Sequence, residues 1–343
     1  MFIGLLLAIL SGFCYGVCFL PVRHMNKFAW ENIWFVYSLF GVVVLPVMAS
    51  FLTIPSLLAL YREVGWRTNL LIISLGFLSG ASALLYGLAL VRIGMALVNA
   101  IGNGISTVLG SLIPLFIQHR EALQGRLGFA LILGIVLGLF GVAICAVAAS
   151  QRKQESAYMD SSEQKGKGLR RATTVGVILT IVFGIMASNM NFALAFAGDY
   201  VKIARAHGTS DAFSAMALFI PITTPGFVSC CLYFAYLWRK NRTLGQFRES
   251  HGVRFSFYCL HIAVVWLVGM LLYGWAMPWM KSYGPVLGWP IMMSSISIVS
   301  AIVEWCYGDW KGHALRILSY GLVALTGSIA TLGYANWLIQ KIA

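Results

Sequence analysis

Leu84-Leu85-Tyr86-Gly87-Leu88-Ala89 recurs in outline as Leu271-Leu272-Tyr273-Gly274-Trp275-Ala276, 187 residues later in a chain of 343. Each copy closes a long apolar segment. Each is followed by a short connection with one basic residue (Arg92, Lys281), a glycine (Gly94, Gly284) and a new apolar segment. Recurrence at about half the chain length points to a duplicated structure.

The segments on either side decide the fold class. Ten stretches lack Asp, Glu, Lys and Arg: 1–22, 32–61, 68–91, 93–119, 127–151, 172–198, 212–238, 255–280, 282–303 and 317–340. Each has at least 22 residues, and a membrane-spanning helix needs roughly 20 apolar ones. A soluble helix would carry charge every turn or two on its wet face. A membrane β-barrel would show alternating strands of roughly 10 residues, and there are none in the pattern. The expectation is an all-α integral membrane protein of ten transmembrane helices. The first segment has no basic start and no A-x-A site before a polar domain, so it reads as a retained helix.

Composition agrees. The chain is 59% hydrophobic and 10% charged, against about 25% charged in a soluble domain. The net charge of +13 does not point to nucleic acid, because the basic residues sit in short gaps between apolar runs and form no contiguous basic domain. The seven cysteines lack C-x-x-C spacing and lie mostly inside apolar runs, so they read as packing residues.

Of the 24 Lys and Arg, 16 fall in the odd-numbered connections and 8 in the even ones and the C-terminal end. The bias puts the odd connections in the cytoplasm and both termini in the periplasm. The connection 152–171 is the longest polar stretch and reads as a cytoplasmic linker between a first repeat, 1–151, and a second, 172–343. Five helices per half means that the second half enters the membrane upside-down. Two inverted five-helix repeats are a common plan of secondary transporters, with the site near the midplane. Gly134-x-x-x-Gly138 and Gly141 share a face that admits a close neighbour. Trp30, Trp34, Trp66, Trp279, Trp305, Trp310 and Trp337 stand at segment ends, as an interfacial belt in membrane lipid would.

The first connection reads Cys18-Phe19-Leu20-Pro21-Val22-Arg23, then Lys27-Phe28-Ala29-Trp30-Glu31-Asn32-Ile33-Trp34. Further on come Tyr86-Gly87-Leu88, Arg92-x-Gly94-Met95, Pro114, Phe192-Ala193, His261 eight residues before Gly269, and Glu304-Trp305. In that order these resemble the bacterial L-rhamnose–proton symporter family, a branch of the drug/metabolite transporter superfamily. The likeness covers nearly the whole chain and thins across segments 6 to 9. It implies a ten-helix bundle in the inner membrane that takes up sugar with protons.

The polar residues inside the segments supply the candidate site. No Asp or Glu lies mid-membrane; Glu31, Asp199, Asp211, Glu304 and Asp309 are all at segment ends. A cationic substrate would want a buried carboxylate, so a neutral polyol fits better. Asn99, Asn103 and Ser106 share one face of segment 4. Gly184, Ser188 and Asn191 repeat that spacing in segment 6, with Asn189 beside them. Facing stripes from opposite halves suit a sugar; the same residues also serve as interhelical hydrogen-bond glue. Tyr86, Trp275 and Tyr15 are candidate aromatic platforms, or plain packing residues. Ser297, Ser300 and Glu304 make a second stripe on segment 9, with Glu304 and Arg92 reading also as interfacial anchors.

His261 is the one histidine well inside a charge-free stretch. With an ordinary pKa of about 6.5 it could carry the coupled proton, or bridge two helices as a neutral ring. Glu31, Asp199 and Glu304 are the alternative coupling groups. No nucleophile set, metal-ligand cluster or phosphate loop is present in the sequence, and no cofactor is expected. A different sugar or metabolite carrier of the same superfamily, importing or exporting, is the alternative reading. An integral membrane enzyme would need a catalytic constellation that these residues do not form.

Overall fold

Apolar segments without internal charge have one stable way to cross a bilayer, as helices that satisfy every backbone group internally. The computed structural model describes residues 2–25, 27–93, 95–159, 166–248 and 252–342. Among them no strand occurs. Ten helices are long and apolar enough to cross a membrane, and they are numbered here as spans 1 to 10. Spans 1 to 5 are Phe2–His24, Trp30–Thr53, Trp66–Ala89, Ile101–Gln118 and Gly125–Arg152. Spans 6 to 10 are Thr174–Ala206, Ser214–Asn241, Gly252–Trp279, Lys281–Cys306 and Gly312–Lys341. The face where span 1 begins and span 10 ends is called the terminal face, and the other the linker face.

Three segments differ from the sequence pattern. The charge-free stretch 32–61 outruns its helix, because Pro55 drives Ile54 to extended backbone (φ −107°, ψ 109°). The chain then restarts as a short helix, Leu57–Val64, on the terminal face. Span 2 also widens into a π-turn at Leu39–Val44, just ahead of Pro46, whose missing N–H removes a bond from the ladder. Span 6 is broken at Ser188 and again at Ala197, so its polar end forms a separate helix, Gly198–Ala206. The polar linker is shorter than its composition suggests. The helix of span 5 continues to Met159 and that of span 6 starts at Gly166, while 160–165 lie outside the described residues.

The two short helices pack together over the terminal face. Leu57, Leu60 and Val64 form one buried cluster with Tyr200, Ala204, Phe219 and Ile222. Tyr200 donates to Asn69 Oδ1 at 2.6 Å, Tyr61 donates to the Ala217 carbonyl at 3.1 Å, and His207 lies 2.8 Å from Glu63.

Within the membrane, lipid tails are as apolar as leucine, so helix pairing depends on close approach rather than on hydrophobic burial. Glycines supply it. Span 3 packs on spans 6 and 7, span 8 on spans 1 and 2, span 1 on span 9, span 6 on span 4, and span 5 on span 10. Spans 3 and 7 cross where a methyl at Gly80 would lie 2.0 Å from the Gly226 Cα. Gly134, Gly138 and Gly141 of span 5 face Leu332, Ser328 and Leu325 of span 10 in one antiparallel register, continued by Cys145 on Gly321. The glycine face expected on segment 5 is therefore a helix-pairing face. Large apolar side chains such as Phe129, Phe140, Leu232 and Val323 point outward from the bundle.

Overpacking a close crossing typically costs about 1–3 kcal/mol. Gly80→Ala is expected to lower stability by at least that much, and Gly245→Ala, with open space around it, to change little. Thermal unfolding of the two purified variants in detergent checks this.

Candidate functional site

The signature residues of the first connection fold onto the quoted stretch. Trp30 stacks on Trp34 with ring centroids 5.2 Å apart, and Trp34 stacks on Phe19 at 5.2 Å and on Tyr86 at 6.4 Å. A methyl at Gly87 would stand 3.1 Å from the Trp30 ring, a tight contact that glycine avoids. Tyr86 in turn meets Phe183 of span 6 at 5.2 Å, with Asn99 close to its hydroxyl. The Phe-Leu-Pro run, the Trp-Glu-x-x-Trp run and the Tyr-Gly-Leu run thus converge near the linker face.

The polar stripe of span 4 runs from there toward the terminal face. Asn99 and Asn103 are half-buried, and Ser106 and Gly110 are buried. Span 6 crosses this span at Gly102, where a methyl would lie 2.3 Å from the Phe183 ring. Asn189 is half-buried and donates back to the Met186 carbonyl at 2.8 Å.

Asn191 is fully buried and fully used. Its amide donates to the Gly110 carbonyl at 2.7 Å and the Pro285 carbonyl at 3.0 Å, and its oxygen accepts from the Tyr273 hydroxyl at 2.9 Å. It ties spans 4, 6, 8 and 9 together. Trp289 lies edge-on to Tyr273 at 5.9 Å and donates its indole N–H to the Ser106 carbonyl at 3.1 Å. Tyr15, half-buried, packs into this cluster from span 1 and meets Trp266 edge-on at 6.2 Å.

The aromatic candidates separate. Tyr86 ends span 3 at the linker face. Trp275 ends span 8 at the terminal face, where its indole N–H donates to the Ala212 carbonyl of the span 6–7 connection. The structure does not bring Tyr86 and Trp275 together, because their helices run in opposite directions. Tyr273 and Trp289, not singled out from the sequence, occupy the inner wall instead. Tyr273 was nonetheless marked there: it is the residue that the recurring stretch aligns with Tyr86.

The ionisable candidates also divide. His261 is exposed on the outward face of span 8, level with Phe257, Val264 and Val268. Asp199 is exposed at the start of its short helix. Glu304 pairs with Arg152 at 2.9 Å and accepts from the Trp310 indole at 3.0 Å. Glu31 is only 4% exposed, and the donors to it are neutral: Asn241 at 2.9 Å and Thr243 at 2.7 Å. Asn32 beside it donates to the Thr243 carbonyl and to Gln246, and accepts from Trp238. This network fastens the start of span 2 to the span 7–8 connection.

In class, this is a ten-span membrane protein whose polar interior follows the seam between its first five and last five spans. Residues 1–336 match the family model of the L-rhamnose-proton symport protein, RhaT. An L-rhamnose-proton symporter of Yersinia pestis (strain Pestoides F) is 24% identical over 339 residues, covering 95% of this chain and 96% of that protein. One of Escherichia coli (strain K12 / DH10B) is 24% identical over 343 residues, with the same shares covered. The chain belongs to the L-rhamnose-proton symport protein family.

The two asparagines of span 6 are expected to behave differently on substitution. Asn191→Ala strands the Tyr273 hydroxyl and two carbonyls, for a loss of about 2 kcal/mol at roughly 0.6 kcal/mol or more per membrane hydrogen bond. Asn189→Ala removes one local bond and is expected to cost under about 1 kcal/mol. Unfolding of the purified variants, compared with wild type, reads both.

Proposed function

We propose that this chain is a secondary carrier that brings a neutral monosaccharide, L-rhamnose or a close relative, into the cell with protons across the bacterial inner membrane. The observation that carries the reading is the stripe Asn99–Asn103–Ser106 set against the broken span 6, along a seam with no carboxylate in it. Amides and hydroxyls with aromatic walls suit a polyol. The names of the relatives supply the sugar and the proton.

Alternating access between two inverted halves is supported by how the close contacts repeat. Gly4 abuts Trp279 and Met280; Gly176 abuts Arg92 and Ile93, each one recurrence step earlier than Trp279 and Met280. Gly12 meets the Met292 carbonyl and Ser295; Gly184, separated from Gly12 as Gly176 is from Gly4, meets the Gly102 carbonyl and Ile105. Exchanging each span for the one five later therefore carries the contacts of one half into those of the other. The same exchange maps Tyr86, Asn99 and Phe19 at the linker face onto Tyr273, Trp289 and Asn191 toward the terminal face. The second trio is buried and bonded, and the first is half-buried. With 16 of 24 basic residues in the odd connections, the linker face is cytoplasmic and the termini are periplasmic, so this conformation is closed to the periplasm.

Of the four coupling candidates, His261, Glu31, Asp199 and Glu304, the one we favour is Glu31. Its carboxylate is held by the Asn241 amide and the Thr243 hydroxyl at the linker face. When the linker face rearranges and those donors leave, a buried carboxylate favours its protonated form. Proton uptake and release would then follow the closing and opening of that face.

In proteoliposomes, Glu31→Gln is expected to abolish accumulation of L-rhamnose along an imposed proton gradient while sugar exchange continues. His261→Gln is expected to leave accumulation intact. A Glu31→Gln protein that still concentrates sugar would remove the carboxylate from coupling.

A further inference from the structure

We infer that the Ser106 hydroxyl is a direct hydrogen-bonding contact for a hydroxyl of the transported sugar, an assignment that rests on the transport reading above. Buried hydroxyls on these helices characteristically bond back to the carbonyl one turn earlier. Thr107 does so to Asn103, Thr180 to Gly176, Thr223 to Phe219 and Ser295 to Ile291. Ser106 is 1% exposed, and its Oγ has no partner among the described residues. A buried hydroxyl left unbonded is costly, so each one calls for an explanation from its surroundings.

Its position says what that is. Ser106 continues the face of Asn99 and Asn103 by one turn, so it stands at the inner end of the polar stripe. There the Trp289 indole lies against span 4: its N–H donates to the Ser106 carbonyl, and a methyl at Gly110 would stand 2.7 Å from that nitrogen. Gly110 is thus the gap that admits the ring. A hydroxyl that both donates and accepts, beside an aromatic ring and among uncharged neighbours, fits a neutral polyhydroxylated ring and offers no counter-charge to a charged one. The sugar's C–H face would lie on Trp289, with one hydroxyl on Ser106.

Span 4 carries its own control. Ser111 is equally buried and equally unpartnered. It lies about 140° around the helix from Ser106, at about 100° per residue. Its neighbours one turn away, Val108 and Leu115, pack with Leu131, Leu287 and Leu332.

The test measures L-rhamnose binding by titration calorimetry, and unfolding without sugar, for wild type, Ser106→Ala and Ser111→Ala. Ser106→Ala is expected to weaken binding roughly ten-fold or more, as a lost hydrogen bond to a buried group does. Its sugar-free stability should be unchanged or raised, since an orphan hydroxyl has been removed. Ser111→Ala should bind as wild type does. Wild-type affinity in Ser106→Ala would overturn the assignment, and so would a clear loss of sugar-free stability, which would make the hydroxyl structural. If wild type itself binds no L-rhamnose, L-rhamnose is removed as the substrate and the assignment of Ser106 to it falls. That outcome is distinct from a wild type that binds and a Ser106→Ala variant that binds equally well.

Discussion

The crossing of spans 3 and 7 at Gly80 and Gly226 leaves no room for even one methyl group. In lipid, where burying apolar surface gives helices no reason to pair, such approaches are what hold a bundle together. Here they set the positions of everything else. The Gly80 crossing fixes span 3, the end of span 3 places Tyr86 and Gly87, and Gly87 admits the Trp30–Trp34 stack. Gly102 and Gly184 press span 6 onto span 4, which sets Asn191 within reach of the Gly110 carbonyl. Close packing by glycine and the hydrogen bonds of the seam form one chain of dependence.

The tyrosines of the recurring stretch, Tyr86 and Tyr273, have different surroundings at the two faces. Toward the terminal face, Tyr273 has a buried acceptor in Asn191 and an aromatic partner in Trp289. At the linker face, the aligned tyrosine, Tyr86, has a half-buried asparagine beside it, and Phe19 stacks on Trp34. This difference between the two faces is the observation that the proposed alternating access rests on. The polar groups matter for the same reason. A buried amide bonded on every side, as in Asn191, is rigid, whereas Asn103 is half-buried and the Ser106 hydroxyl has no partner among the described residues.

Much of this was legible in the sequence, and the failures are physical. Charge-free stretches located all ten spans because a charge inside hydrocarbon is costly. They overran at 32–61 because hydropathy does not register Pro55, which ends the helix without adding charge. The stripe of span 4 followed from helical periodicity, and so did the asparagines of span 6. Periodicity could not separate Asn189 from Asn191, since what distinguishes them is Tyr273, 82 residues beyond Asn191. The recurrence already aligned Tyr273 with Tyr86, but nothing in the stretch separates the buried Tyr273 from Trp275 two residues on. Two antiparallel helices that end in like motifs present those motifs at opposite faces, a point the segment count alone contained. The burial of Glu31 was not legible. Its donors, Asn241 and Thr243, sit more than 200 residues away in a connection that reads as ordinary polar loop.

Pulsed electron spin resonance on doubly labelled protein tests the alternation of the two faces most directly. One label pair would bridge the short helices of the terminal face, at Arg62 and Arg205, and the other would bridge the linker face, at His24 and Leu244, each in a background without the native cysteines. Alternating access predicts that adding L-rhamnose at low pH lengthens the first distance in a growing fraction of molecules while the second shortens in the same fraction. Distances that stay fixed at both faces, or that widen at both together, would contradict it.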